Sequence, residues 1–170
     1  WQPRVPPGVT IRRFLIATGA GPLPAVAVHA QGGQLSAARV LYLHGGGWVL
    51  GSVDTHLAAM ARLALGSGTE VVGIDYRLAP EAPFPAALHD CLSAWHWLEA
   101  DSAGRRLFIA GDSAGANLAL AAMLELRGQH ATMPAAALLF YGVFGPDCRG
   151  ESSDRFGSGD YGLSTARMAW

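Results

Sequence analysis

The chain has 170 residues, 51% of them hydrophobic and 15% charged, with a formal net charge of −1. That length suits a single domain with a real core, and the near-neutral charge gives no electrostatic case for nucleic acid. The longest apolar run, Ala135 to Phe144, is too short to span a bilayer, and the two cysteines, Cys91 and Cys148, have neither metal nor redox spacing.

In chain order, Trp1-Gln2-Pro3-Arg4 carries no signal-peptide pattern, so a cytoplasmic location is expected. Val9 to Ile16 alternates and predicts an edge strand. Ala25 to His29 predicts its partner, followed by a turn at Gly32-Gly33. Residues 39–43 read as a buried strand. A helix capped by Asp54 or Thr55 is expected through Leu65, ended by Gly66. Residues 69–74 predict the next strand, and two prolines stiffen the loop over 76–83. A helix over 84–99 places Phe84, Leu88, Cys91, Trp95 and Leu98 on one core face, where Cys91 reads as a buried thiol. Leu107 to Ala110 is a strand, Ala114 to Arg127 a helix and 135–141 a strand, completing a βαβ repeat. Residues 145–160, rich in Gly, Ser and Asp, read as a loop. Strands this apolar fit a sheet covered on both faces.

The chemistry concentrates in three segments. Gly111-Asp112-Ser113-Ala114-Gly115 is a GxSxG between a strand and a helix, the context of a nucleophile elbow. Such a turn exposes the serine Oγ, and glycines flank it because a Cβ would crowd the neighbouring strand and helix. Ala114 N–H then opens a helix, where backbone donors face developing negative charge. His44-Gly45-Gly46-Gly47-Trp48 follows an earlier strand, and its glycines let N–H groups approach a substrate oxygen. Asp75-Tyr76-Arg77-Leu78-Ala79-Pro80-Glu81 follows a third strand.

Together these segments resemble the hormone-sensitive-lipase-like branch of the α/β-hydrolases, the bacterial family IV esterases, over about Pro24 to Trp170. The flanking Gly51 to His56 and Phe84-Pro85-Ala86-Ala87 fit as well. The resemblance implies an α/β-hydrolase fold, with a mostly parallel sheet flanked by helices, and hydrolysis of carboxylic esters with short to medium acyl chains. It implies Ser113 as nucleophile and an oxyanion hole from the N–H groups of Gly46, Gly47 and Ala114. It makes His44 a brace for the glycine loop, and Asp75 and Arg77 a clamp that shapes the loop near the site. A small-molecule ester is the expected partner. No metal or organic cofactor is implied, and oligomeric state stays open.

The family triad runs Ser, Asp, His in chain order, and neither later member is recognisable here. His130 follows the helix after Ser113, and 14 residues at ~1.5 Å each put it ~21 Å away. Asp147, Asp154 and Asp160 do not sit in a segment like the family's acid motif. The expectation is one partial domain over 1–170, cap mostly absent, with the triad acid and histidine beyond Trp170. Serine without its base is a weak nucleophile, so this length of chain is expected to be inactive or weakly active by itself.

His56 is the best substitute base, although a solvated helix-face histidine is the simpler reading. His89 and His96 read as helix-face residues. Asp112 reads as hydrogen-bonding the turn in preference to tuning the local field. Trp48 either lines an acyl pocket or packs under a cap. Leu57 stands where an acidic residue often follows Thr-His, and Ala116 replaces a frequent glycine. The alternatives are a non-catalytic small-molecule-binding homologue and an amidase or peptidase variant.

Overall fold

A computed structural model describes residues 4–32, 37–145, 150–156 and 158–159. Strands β1 (Val9–Thr18) and β2 (Gly21–Ala30) form an antiparallel hairpin closed at Gly19-Ala20. Then come β3 (Ala38–Leu43), α1 (Val53–Ser67), β4 (Glu70–Ile74) and α2 (Ala86–Ala100). They are followed by β5 (Arg106–Asp112), α3 (Ala114–Gly128), β6 (Ala137–Phe140) and the short α4 (Glu151–Phe156). The sheet order is β1-β2-β4-β3-β5-β6. β2 runs antiparallel to β4, while β3, β4, β5 and β6 are mutually parallel.

That order decides which helix covers which face. The chain leaves β3 toward β4 in one direction and crosses from β4 to β5 in the other. Right-handed crossovers in opposite directions lie on opposite faces. Accordingly Val40 and Tyr42 of β3 and Val71 of β4 pack with Met60, Ala61 and Ala64 of α1. Leu41, Leu43, Val72 and Ile74 pack on the other face with Trp95 and Leu98 of α2 and Leu118 and Ala122 of α3. Successive strand residues alternate between two cores, so β3 and β4 are buried at every position and are apolar apart from Arg39 and Glu70 at their amino ends. The reversal also separates the loops after β3 and β5, opening a crevice at the carboxyl ends of adjacent strands.

Several boundaries differ from expectation. Helix α1 is capped by Ser52, whose side chain accepts from Thr55 N–H while Thr55 Oγ1 accepts from Ser52 N–H. This capping box satisfies two orphan donors at once, which neither Asp54 nor Thr55 as cap would do. The helix passes Gly66 and ends at Gly68, in the left-handed conformation at φ 64°. Helix α2 begins at Ala86, so Phe84 lies before it and is 85% exposed, outside the predicted core face. Leu88, Cys91, Trp95 and Leu98 do pack in that core. Strand β6 is shorter than 135–141. The span predicted as a loop contains α4, with Glu151 and Asp154 in its first turn, where carboxylates complement the helix dipole. Gly33, Asp147, Cys148, Asp160 and the segment Leu163 to Trp170 lie outside the described residues.

Candidate active site

Ser113 stands between the last residue of β5 and the first of α3, at φ 51° and ψ −118°. A non-glycine residue at positive φ is uncommon, and strain of this kind concentrates at functional sites. Three features hold it there. Ser113 N–H donates to Phe140 O at 2.9 Å, and Ser113 O accepts from Asn117 N–H at 3.2 Å, the first turn of α3. The flanking glycines bring backbone against backbone: a Cβ at Gly111 would meet Gly115, and one at Gly115 would overlap the carbonyl oxygens of Leu43 and His44. Neither obstacle is a movable side chain, so the expectation of crowding at both glycines matches the geometry.

The glycine loop lies beside the elbow because β3 pairs with β5, with Leu43 opposite Gly111. Its three glycines have three different reasons. A Cβ on Gly45 would overlap the Asp112 carboxylate. Gly46 has φ 133°, and a Cβ there would strike Leu50 O. Gly47 has φ 61° with ordinary room around it, so conformation alone selects glycine. Gly46 O accepts from Val49 and Leu50 N–H, folding the loop back on itself. Among the described residues, the Gly46 and Gly47 N–H groups have no hydrogen-bond partner. They lie on the loop after β3, the strand that pairs with β5, and Ala114 N–H opens α3 just after β5.

Asp112 is the electrostatic centre of the site. It is 5% exposed. Its Oδ1 accepts from Tyr42 Oη at 2.8 Å and Gly45 N–H at 3.1 Å. Its Oδ2 lies 3.4 Å from both His56 Nε2 and Tyr141 Oη. Burial pushes the carboxyl pKa up, but the donors from His56, Tyr42 and Gly45 outweigh it and hold the group below the ordinary value. The same contact raises His56. Thus His56, in the first turn of α1, is half-buried with its Nε2 against a carboxylate. The sequence reading of Asp112 as a turn hydrogen bond was too local, since its partners come from β3, the glycine loop and α1.

His44 is buried and stacked on Tyr76 at 4.2 Å. Its Nδ1 lies 2.9 Å from Gly45 O, and Tyr76 Oη donates to His44 O at 2.7 Å. Burial lowers its pKa and keeps the imidazole neutral. Asp75 and Arg77 do not pair with each other. Asp75 Oδ1 accepts from Val53 N–H at 2.7 Å, at the start of α1. Arg77 forks onto Asp90 of α2 with Nε and Nη2, at 2.9 and 2.8 Å. The two side chains reach helices on opposite faces of the sheet, so each shapes the loop through its own anchor. Asp90 was missed, although a carboxylate on the apolar face of α2 signals a need for a cation. His89, His96 and His130 are exposed, as is Asp154. Among the described residues, no histidine nitrogen is hydrogen-bonded to Ser113 Oγ.

A cavity of about 290 Å³ adjoins the glycine loop, lined by Gly47, Trp48, Leu88, Asn117 and Leu118 among others. Trp48 therefore faces a cavity, and its carbonyl accepts from Ala79 N–H. A depression of about 320 Å³ along β1 and β2 holds Arg13 and Asp75 but no nucleophile.

A serine at positive φ between a strand and a helix, beside a glycine-rich loop at the end of the paired strand, fits the α/β-hydrolases. The family model for the alpha/beta hydrolase fold matches residues 40–170, and the chain belongs to that family. It is 40% identical over 142 residues to an ethyl acetate hydrolase of Pseudomonas putida, covering 80% of this chain and 44% of that protein. It is 38% identical over 146 residues to an acetyl esterase of Salmonella paratyphi B, covering 82% of this chain and 45% of the relative. Among solved structures, an esterase of Pyrobaculum calidifontis superposes with a TM-score of 0.84 at 34% identity, over 95% of this chain and 54% of the other. An esterase from the bacterial hormone-sensitive lipase family gives 0.86 at 34% identity, over 98% and 55%. The chain thus spans about half the length of the relatives it matches. No helix among the described residues is long and apolar enough to cross a membrane.

Proposed function

We propose that this chain carries the nucleophile and oxyanion hole of a carboxylic ester hydrolase that works through a serine acyl-enzyme. The observation that carries the reading is Ser113 at φ 51° between β5 and α3, beside a glycine loop whose Gly46 and Gly47 N–H groups have no hydrogen-bond partner among the described residues. In this reading Ser113 Oγ attacks the ester carbonyl. The carbonyl oxygen becomes an oxyanion held by Gly46, Gly47 and Ala114 N–H groups, donors preorganised before charge develops. The alkoxide leaves with a proton and water releases the acid. The base is a histidine further along the parent protein than Trp170, oriented by an acid also beyond it. Two facts support this: His44 Nδ1 is turned to Gly45 O, and His56 Nε2 faces Asp112.

The relatives named for ethyl acetate and acetyl ester hydrolysis support short acyl esters as substrates. The cavity beside Trp48, about 290 Å³ and mostly apolar in its lining, agrees with a short to medium acyl chain. No metal or organic cofactor enters this chemistry. The test is hydrolysis of p-nitrophenyl butyrate by the chain and by Ser113→Ala. Turnover that survives Ser113→Ala overturns the serine mechanism. Ser113-dependent turnover by these residues alone overturns the base beyond Trp170, and makes His56 the first histidine to replace.

A further inference from the structure

The oxyanion hole proposed above is assembled from two segments that only tertiary contact brings together, and something must fix their separation. Gly46 and Gly47 sit on the loop after β3, and Ala114 sits on the elbow after β5. An oxyanion donor misplaced by about 1 Å loses much of its effect. Between the segments lies the buried side chain of Asp112, immediately before the nucleophile.

Resting on the ester hydrolase reading, we propose that Asp112 is a positioning residue whose Oδ1 ties the glycine loop to the elbow and so sets the spacing of the oxyanion donors. Oδ1 receives Gly45 N–H at 3.1 Å and Tyr42 Oη at 2.8 Å. A single oxygen thereby links the loop, β3 and the residue before Ser113. Gly45 is glycine because the carboxylate occupies the space where its Cβ would go. The first glycine of the loop therefore serves the tether, and the next two present the donors. Oδ2 faces His56 and Tyr141 at 3.4 Å, both beyond good hydrogen-bond length. The two oxygens make different contacts: Oδ1 accepts from Gly45 N–H and Tyr42 Oη, while Oδ2 fills the space of a Gly45 Cβ and faces His56 Nε2.

This division makes the conservative variant informative. Asp112→Asn retains an oxygen that accepts from Gly45 and Tyr42, and turns its amide toward a neutral His56 Nε2, which accepts. Asp112→Ala removes both oxygens. The experiment follows hydrogen exchange of the Gly45 amide by NMR, alongside the rate at which a p-nitrophenyl alkylphosphonate labels Ser113. Expected is a loss of Gly45 protection of about tenfold or more in Asp112→Ala, with Asp112→Asn within about threefold of wild type. Phosphonate labelling follows the same order. Wild-type protection in Asp112→Ala, or equal losses in both variants, overturns the tether. Should Asp112→Ala not fold, the scalar coupling across the hydrogen bond from Gly45 nitrogen to Asp112 Cγ in the wild-type chain decides: its presence supports the tether and its absence overturns it. The exchange readout does not need turnover. Gly45 protection that follows Oδ1, in a longer chain that carries the proposed base and still shows no Ser113-dependent hydrolysis, keeps the tether and sinks the hydrolase reading. Ser113-dependent hydrolysis with Gly45 indifferent to Asp112 does the reverse.

Discussion

The two ends of the central sheet both bury charge, and they do so differently. At the amino ends of the strands, Arg39 is 1% exposed and meets full opposite charges: Glu70 at 2.5 Å and Asp101 at 2.8 Å. Arg105 adds a second cation 3.5 Å from Glu70, and the Arg39 guanidinium lies over the Trp97 ring at 5.4 Å. At the carboxyl ends, Asp112 is satisfied mainly by neutral dipoles from a backbone amide and tyrosine hydroxyls, with one titratable partner in His56. The first arrangement is a network of opposite charges joined side chain to side chain. The second leaves a carboxylate aimed at backbone groups that must be placed accurately, with a partner that changes charge near neutrality. Scaffold and site use the same interaction class to different ends.

The sharpest separation comes from Ser113→Ala. In a longer chain that carries the base proposed beyond Trp170, it is expected to lower ester turnover at least about 10³-fold while changing stability by less than about 1 kcal/mol. Kinetics beside urea unfolding checks both halves. The opposite end should behave in reverse. Arg39→Met leaves Glu70 buried with a weaker partner and is expected to cost about 3 kcal/mol, read as a lowered urea midpoint. Labelling of Ser113 per folded molecule should stay within about twofold. A large loss of labelling without a loss of stability would break the comparison.

A smaller effect is pH-dependent and belongs only to the site. Asp112 holds His56 above its ordinary value of 6.5 in the folded chain. Its contribution to stability is therefore complete below 6.5 and is lost as pH rises through the raised folded value. Asp112 is held below its ordinary 3.8, so its share is present above 3.8 and lost as pH falls through the depressed folded value. The pair is worth most between those two ordinary values, about 1 kcal/mol for a partly exposed pair. Urea midpoints of wild type and His56→Gln should differ more at pH 5.5 than at pH 8.5. An equal difference at both would remove the pairing. The smallest effect is expected at Phe84, 85% exposed despite its helical spacing with Leu88 and Cys91. Phe84→Ser should shift stability by less than about 0.5 kcal/mol, and a loss of 2 kcal/mol or more by the same measurement would return it to the core.

By itself the sequence determined whatever depends on near neighbours. Glycine flanks Ser113 because strand and helix must meet at one residue, and both glycines abut backbone that cannot move. The apolar runs of β3, β4 and β5 and the helical spacing of Leu88, Cys91, Trp95 and Leu98 were legible because periodicity reports burial. Local signals misled where several candidates competed. Ser52, Asp54 and Thr55 are all good caps, and the reciprocal Ser52–Thr55 bonds selected between them. Gly66 and Gly68 are both good stops, and only Gly68 adopts the left-handed turn. Tertiary structure alone decided the rest, because strand order is not written in local pattern. Placing β3 between β4 and β5 brought Gly45 to Asp112, 67 residues away in sequence. It sent Asp75 to α1 and Arg77 to α2, although they are two residues apart. It also brought His56 from the helix face to a carboxylate. Hydrogen bonds and ion pairs act over a few ångströms, so their partners are set by which strands are neighbours and not by which residues are adjacent in the chain.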